Sequence, residues 1–129
     1  MRIFSRVRLA GPAFLPGLAL VLVLAAFPAR AGDVLSPAEV PAYLAATPDV
    51  LILDVRTPEE FAQGHLDGAL NIPVDSLEAR LNELPAHRPL LIYCRMGVRA
   101  ERAYGMVREK KPELTELRMV RGPLEELLK

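Results

Sequence analysis

The chain has 129 residues, with 16 Lys+Arg against 16 Asp+Glu, so its formal net charge is zero. This length suits one domain, and a half-hydrophobic composition excludes a wholly disordered chain. This net charge of zero is the sum of a basic N-terminal segment and an acidic remainder. Residues 1–31 carry four arginines and no acidic side chain, whereas residues 32–129 carry 12 basic and 16 acidic side chains, a formal charge of −4. The acidic remainder argues against nucleic-acid binding, which requires a clustered cationic surface.

Residues 1–31 have the layout of a secretory signal peptide. Three arginines precede an uninterrupted apolar run at 18–27, and Ala29-Arg30-Ala31 places small residues at the two positions that a signal peptidase reads. We therefore expect cleavage after Ala31, a mature domain over 32–129 that is periplasmic or secreted, and no membrane contact once the signal is removed. The alternative is an uncleaved anchor, but residues 9–27 reach spanning length only by including two glycines and two prolines.

The mature chain begins with alternating helix and strand signals. Ser36-Pro37-Ala38-Glu39 has the pattern of a capping box that opens a helix. The apolar run 50–53 predicts a strand covered on both faces. Thr57-Pro58-Glu59-Glu60 repeats the capping box, and Gly64 is suited to end the short helix that follows.

The alternation continues to the end of the chain. Residues 69–72 predict a short strand before Pro73, and Asp75 is expected to cap a helix with leucines on one face. A second buried strand is predicted at 90–93, a helix over 98–110 and a last strand at 117–120. This order indicates an α/β domain with a mainly parallel central sheet flanked by helices.

Cys94 is the only cysteine, so the chain has no intramolecular disulfide. A lone cysteine is most often a small buried hydrophobe. Here, however, Cys94 directly follows a predicted buried strand and precedes a predicted helix. The carboxyl ends of strands in open α/β sheets are where ligands bind.

The loop that follows has residue types suited to an anionic or sulfur-bearing group. Its sequence is Cys94-Arg95-Met96-Gly97-Val98-Arg99. Gly97 permits a positive φ, and the N–H groups at the helix start can converge on the sulfur. Arg95 and Arg99 add cationic charge that favours a thiolate and attracts an anion, although either could instead be a structural ion-pair partner.

Two stretches together resemble the single-domain rhodanese family, most closely its small exported phage-shock type. The first runs from Asp54 to Pro73 (DVRTPEEFAQGHLDGALNIP), and the second is the cysteine loop followed by Ala100. The similarity spans roughly residues 36–122. It implies the three-layer α/β fold of that family, with a mainly parallel central sheet.

The resemblance also implies a sulfurtransferase that needs no cofactor. Cys94 would take sulfur from a small anionic donor such as thiosulfate, hold it as a persulfide, and pass it to cyanide, a thiol or a protein acceptor. Residues 95–99 would form the substrate-binding loop. Two alternatives remain open: a non-catalytic module that binds or presents sulfur, and a redox sensor with a single exposed thiol.

The first stretch is interpreted as a structural motif built on Asp54, Arg56, Glu60, Gly64 and His65. We expect an ion pair between Arg56 and Glu60, and His65 at a turn after Gly64. Catalysis by His65 is disfavoured because no second histidine or carboxylate is tied to it by a recognised catalytic spacing. Two scattered histidines and one cysteine give no metal-ligand spacing, so no metal site is expected.

Loop length separates this chain from phosphatases of similar architecture. Those enzymes place five residues between cysteine and arginine, whereas four separate Cys94 from Arg99. The shorter loop favours one sulfur atom over a phosphate. The sequence also departs from the family pattern at two places. Met96 stands where thiosulfate enzymes often have a basic residue. Near the C-terminus, where many members have a Gly-Gly pair and a Trp, this chain has Gly122-Pro123 and no Trp.

Overall fold

The structure is a computed structural model that describes residues 32–128. The predicted signal segment 1–31 lies outside the described residues. Within 32–128 no helix is both long and apolar enough to cross a membrane. The elements in chain order are β1 (Val34–Leu35), a 3-10 turn (Pro37–Glu39), α1 (Val40–Ala46), β2 (Leu51–Asp54), α2 (Pro58–Gln63), β3 (Leu70–Asn71), α3 (Val74–Leu77), a 3-10 segment (Glu78–Glu83), β4 (Leu90–Tyr93), α4 (Val98–Lys110), β5 (Leu117–Val120) and a 3-10 turn (Glu125–Leu127).

The strands form one five-stranded sheet in the order β1-β5-β4-β2-β3. All of its strand pairs are parallel, which confirms the predicted α/β class. Strand β4 lies at the centre, and its four residues are all buried. The residue that follows β4 therefore leaves the sheet at its carboxyl edge between two neighbouring strands.

Apolar side chains pack on both faces of the sheet and make three layers. The larger cluster joins β4 residues Leu90 and Ile92 to the inner face of α4, and Cys94 belongs to it. The smaller cluster joins Leu91 and Tyr93 to α1 and the C-terminal segment. Because side chains alternate along a strand, this two-residue period directs Cys94 toward α4 and Tyr93 toward the opposite layer.

The capping box predicted at Thr57 is complete, and the one predicted at Ser36 is made through the Glu39 side chain. The Glu39 carboxylate accepts hydrogen bonds from the Ser36 N–H and hydroxyl, at 2.8 and 2.7 Å. At α2, the Thr57 hydroxyl accepts from the Glu60 N–H at 3.2 Å, and the helix ends at Gly64. In both cases the capping residues are three positions apart in the sequence, and a local pattern was therefore enough to predict them.

The predicted Asp75 cap is wrong. Pro73 is the N-cap residue, and Asp75 lies inside the first turn of α3, where its carboxylate pairs with Arg102 at 2.8 Å. Helix α3 is also only one turn long before the chain continues as a 3-10 segment. The predicted apolar face survives this change, since Leu77 and Leu84 are buried and Leu81 packs against the same core.

Candidate active site

Cys94 lies immediately after β4 and before the start of α4. Its Sγ accepts two backbone hydrogen bonds, from the Gly97 N–H at 3.0 Å and from the Ala100 N–H at 3.4 Å. The residue is only 3% exposed. Two N–H donors at a helix N-terminus favour negative charge on the sulfur and on an atom bound to it. This polar environment differs from that of a cysteine that serves only as a small hydrophobe.

The chain after β5 fixes the direction of the loop peptides. The Gly122 N–H donates to the Met96 carbonyl at 3.0 Å, and the Leu124 N–H donates to the Arg95 carbonyl at 3.2 Å. With these carbonyls bound on the outside of the loop, its N–H groups are free to point inward. No local sequence pattern predicts this support, because the partners are 26 and 29 residues apart along the chain.

Gly97 is the N-cap of α4 and has a φ of 113°, as the sequence predicted for this loop. A Cβ at this position would lie 3.0 Å from the Arg121 Cα and 3.3 Å from the Val120 carbonyl oxygen. Two independent constraints therefore require glycine here: the left-handed backbone and the close approach of β5. Met96 and Val98, the residues on either side of Gly97, have exposed apolar side chains.

The predicted ion pair between Arg56 and Glu60 is wrong. The Arg56 guanidinium binds the buried Asp54 carboxylate, with Nη2 2.6 Å from Oδ2, and Nη2 also donates to the Gly64 carbonyl at 2.7 Å. Asp54 is fully buried at the end of β2 and also accepts the Arg56 N–H at 2.9 Å, so the nearest carboxylate to Arg56 is one that needs a partner. The Arg56 guanidinium also lies 5.6 Å from the centre of the Tyr93 ring.

Glu60 binds Arg99 instead, across 39 residues of chain. The two guanidinium nitrogens lie 2.6 and 2.9 Å from the two carboxylate oxygens. Glu60 also accepts the Thr57 N–H at 3.0 Å, so one side chain caps α2 and ties it to α4. Arg99, which the sequence left open between substrate binding and structure, thus occupies an ion pair. The hydrogen bonds from Arg99, and to a smaller extent the one from the Thr57 N–H, lower the pKa of Glu60 to about 2.

His65 has a structural environment. Its Nδ1 lies 2.8 Å from the Phe61 carbonyl oxygen, and its ring stacks on the Phe61 ring with centroids 3.7 Å apart. Among residues 32–128, no group of three or more His, Cys, Asp or Glu side chains is arranged to hold a metal ion. The histidine therefore contributes to the packing of α2 and the turn after Gly64.

A shallow pocket of about 230 Å³ adjoins the loop. Arg95 belongs to the loop and also lines the pocket, whereas Cys94 is buried and does not line it. The residues that line the pocket are Arg56, Glu60, Gln63, Gly64, Arg95, Glu125 and Leu128.

Sequence comparison decides the family. A family model described as Rhodanese-like domain matches residues 36–126, which include the first motif, the cysteine loop and the segment that supports it. The chain belongs to this family. The narrower resemblance to the phage-shock type stays a prediction.

Individual relatives agree with this assignment. A protein named sulfurtransferase from Allochromatium vinosum is 47% identical over 60 residues, covering 46% of this chain and 56% of that protein. The protein YqhL of Bacillus subtilis is 41% identical over 71 residues, covering 55% of each chain. This chain thus spans about half the length of the curated relatives it matches. The human single-domain sulfurtransferase TSTD1 is structurally similar with a TM-score of 0.61, at 30% identity, covering 74% of this chain and 95% of that one.

The rhodanese-like loop should not tolerate a side chain at position 97. We expect Gly97→Ala to lower the free energy of unfolding by roughly 1–3 kcal/mol, because alanine would adopt a strained φ and contact Arg121. Gly105→Ala is the matched control, since Gly105 lies in α4 with no atom within 4 Å of the added Cβ. It should stabilise the domain by about 0.5–1 kcal/mol. Equal effects in urea unfolding would show that the loop does not require glycine.

The pair between Glu60 and Arg99 should make stability depend on pH. Because the pKa of Glu60 in the folded domain is lowered to about 2 from the unfolded value near 4.3, the pair stabilises the domain fully above about pH 4.3. That stabilisation disappears as the pH falls toward 2. Glu60→Gln should therefore cost about 1 kcal/mol near neutral pH and almost nothing near pH 2.

Urea unfolding of the wild type and Glu60→Gln across this range measures the difference. Glu59→Gln removes the same charge from an exposed neighbour and should change stability by less than about 0.5 kcal/mol. A cost for Glu60→Gln that stays constant with pH would contradict the role of the ionised pair.

Proposed function

We propose that this rhodanese-like domain is a sulfurtransferase in which Cys94 carries the transferred sulfur. The observation that supports this most strongly is the pair of backbone N–H donors on Cys94 Sγ at the start of α4. Backbone N–H donors at a helix N-terminus stabilise negative charge that develops on a sulfur atom during its transfer. The relatives named as sulfurtransferases are consistent with this function.

The reaction would proceed in two displacements. In the first, the Cys94 thiolate attacks the outer sulfur of a donor such as thiosulfate. The sulfur–sulfur bond of the donor breaks, and sulfite leaves with the bonding electron pair. In the second, cyanide or a thiolate attacks the outer sulfur of the Cys94 persulfide, which releases thiocyanate or a new persulfide and restores the thiolate.

The buried thiol of Cys94 does not match the exposed thiol that the redox-sensor alternative requires. A sensor cysteine must be accessible to oxidants and to a second thiol, whereas this residue is 3% exposed. The exposed side chains of Met96 and Val98 give the loop an apolar rim, which is suited to docking of a protein acceptor.

Cys94→Ser should abolish sulfur transfer. We expect the rate of thiocyanate formation from thiosulfate and cyanide to fall by at least about a thousandfold, because the hydroxyl is a far weaker nucleophile. Circular dichroism and urea unfolding should show that the variant still folds. Incubation of the wild type with donor alone should add the mass of one sulfur atom, and cyanide should remove it.

Three other results would contradict sulfur transfer by Cys94. Equal activity in the wild type and Cys94→Ser would overturn the proposal. A stable sulfur adduct that no acceptor removes would indicate a non-catalytic sulfur-binding module. A mixed disulfide in freshly isolated protein would indicate a redox sensor.

We also propose that residues 1–31 are a cleaved export signal and that the domain acts in the periplasm or outside the cell. Expression of the full chain in a Gram-negative host should give a periplasmic protein that begins at Gly32, measured by intact mass. Ala31→Lys removes the small residue before the cleavage point and should leave the precursor uncleaved. A wild-type protein that keeps residues 1–31 in the membrane fraction would instead support the anchor.

A further inference from the structure

The arginines of the loop and of the pocket wall are all paired with carboxylates. The sequence suggested Arg95 and Arg99 as cationic charge for an anionic donor, but both are paired with carboxylates from distant parts of the chain. The pairs are Arg56 with Asp54, Arg99 with Glu60 and Arg95 with Glu125. Their formal charges cancel, and the attraction for an anion comes mainly from the backbone N–H groups at the start of α4.

Only one of these pairs is open to a substrate. Arg56 and Asp54 are buried, and Arg99 is bound at both nitrogens in a partly buried pair. By contrast, the side chains of Arg95 and Glu125 are 61% and 58% exposed, and both line the pocket. The Arg95 Nε and Nη2 lie 2.7 and 2.6 Å from the same Glu125 oxygen.

The backbone keeps Glu125 beside the pocket. Leu124, the preceding residue, is fully buried and donates its N–H to the Arg95 carbonyl at 3.2 Å. An exposed ion pair is weak, so an anionic donor could displace the Glu125 carboxylate from Arg95. The displaced carboxylate would nevertheless stay near the pocket mouth and repel a second negative charge.

We propose that Glu125 sets the charge specificity of the site, so that the pocket discriminates against dianionic sulfur donors in favour of donors with one negative charge or none. The proposal rests on the sulfurtransferase function above and extends it to the class of donor. Glu125 acts here through Arg95 and through its own charge, and it takes no part in the displacement at sulfur.

Two donors that differ by one charge provide the test. Thiosulfate carries two negative charges, and methanethiosulfonate carries one because a methyl group replaces an oxygen. Each would give its outer sulfur to the Cys94 thiolate by breaking its sulfur–sulfur bond, with release of sulfite in one case and methanesulfinate in the other. Both reactions balance without an oxidant or a reductant, so their ratio of kcat/KM reports charge recognition.

Glu125→Gln should raise kcat/KM for thiosulfate by about threefold to tenfold, with a smaller gain for methanethiosulfonate. The gain should shrink at high salt, where exposed charges are screened. Glu126→Gln is the matched control, because it removes the same charge from an exposed neighbour whose side chain has no ion pair among the described residues. It should leave the ratio of the two donors unchanged within about twofold.

Two outcomes would overturn the proposal while leaving sulfur transfer intact. One is an unchanged donor ratio in Glu125→Gln, and the other is an equal shift in Glu126→Gln. Failure of wild-type transfer with both donors would instead contradict the proposed function.

If the wild type transfers sulfur from neither donor, the effect of Glu125 on anion binding can still be measured. In the Cys94→Ser background, Glu125→Gln should increase the affinity for thiosulfate by about threefold to tenfold in calorimetry. Unchanged affinity would overturn the assignment of Glu125.

Discussion

The hydrogen bonds from the Gly97 and Ala100 N–H groups to Cys94 Sγ are the interaction on which the rest of the site depends. They require a helix that is separated from a buried strand by four residues, and a loop whose peptides turn their N–H groups inward. Each requirement is met by a separate part of the fold. The buried strand β4 fixes the position of Cys94, Gly97 allows the turn, and the chain after β5 binds the outward carbonyls. The loop is thus held in place before any substrate arrives, which avoids reorganisation during a reaction.

The first motif supports the same site from the neighbouring strand. Asp54 and Arg56 form a buried pair at the end of β2, and Arg56 also holds the Gly64 carbonyl at the end of α2. From that helix, Glu60 reaches Arg99 on α4. A chain of charge-assisted contacts therefore links β2, α2 and α4 around the loop. Removing one partner of the buried pair would leave an uncompensated charge, and this accounts for the dense set of polar residues in a stretch without catalytic geometry.

Charge in this domain has to be considered at three scales. The whole chain is neutral, the predicted mature domain is acidic, and the loop sequence is locally cationic. In the folded domain the loop arginines are neutralised by Glu60 and Glu125. Backbone N–H groups, whose positions do not depend on flexible side chains, therefore provide the main positive potential at the sulfur. This arrangement underlies the proposed discrimination against a dianionic donor.

The sequence by itself determined the features that depend on short-range patterns. The helix over 98–110, the buried strand at 90–93 and the capping box at Thr57 agree with the structure because their signals lie within one or two turns of the chain. The position of Cys94 between strand and helix, and the need for Gly97, followed from the same local reasoning. Only the tertiary structure decided which charges meet. Glu60 with Arg99 and Arg95 with Glu125 are separated by 39 and 30 residues, and the pairing of Arg56 with Asp54 instead of Glu60 depends on burial. Side-chain pairing across elements follows from the packed fold, which no local sequence pattern encodes.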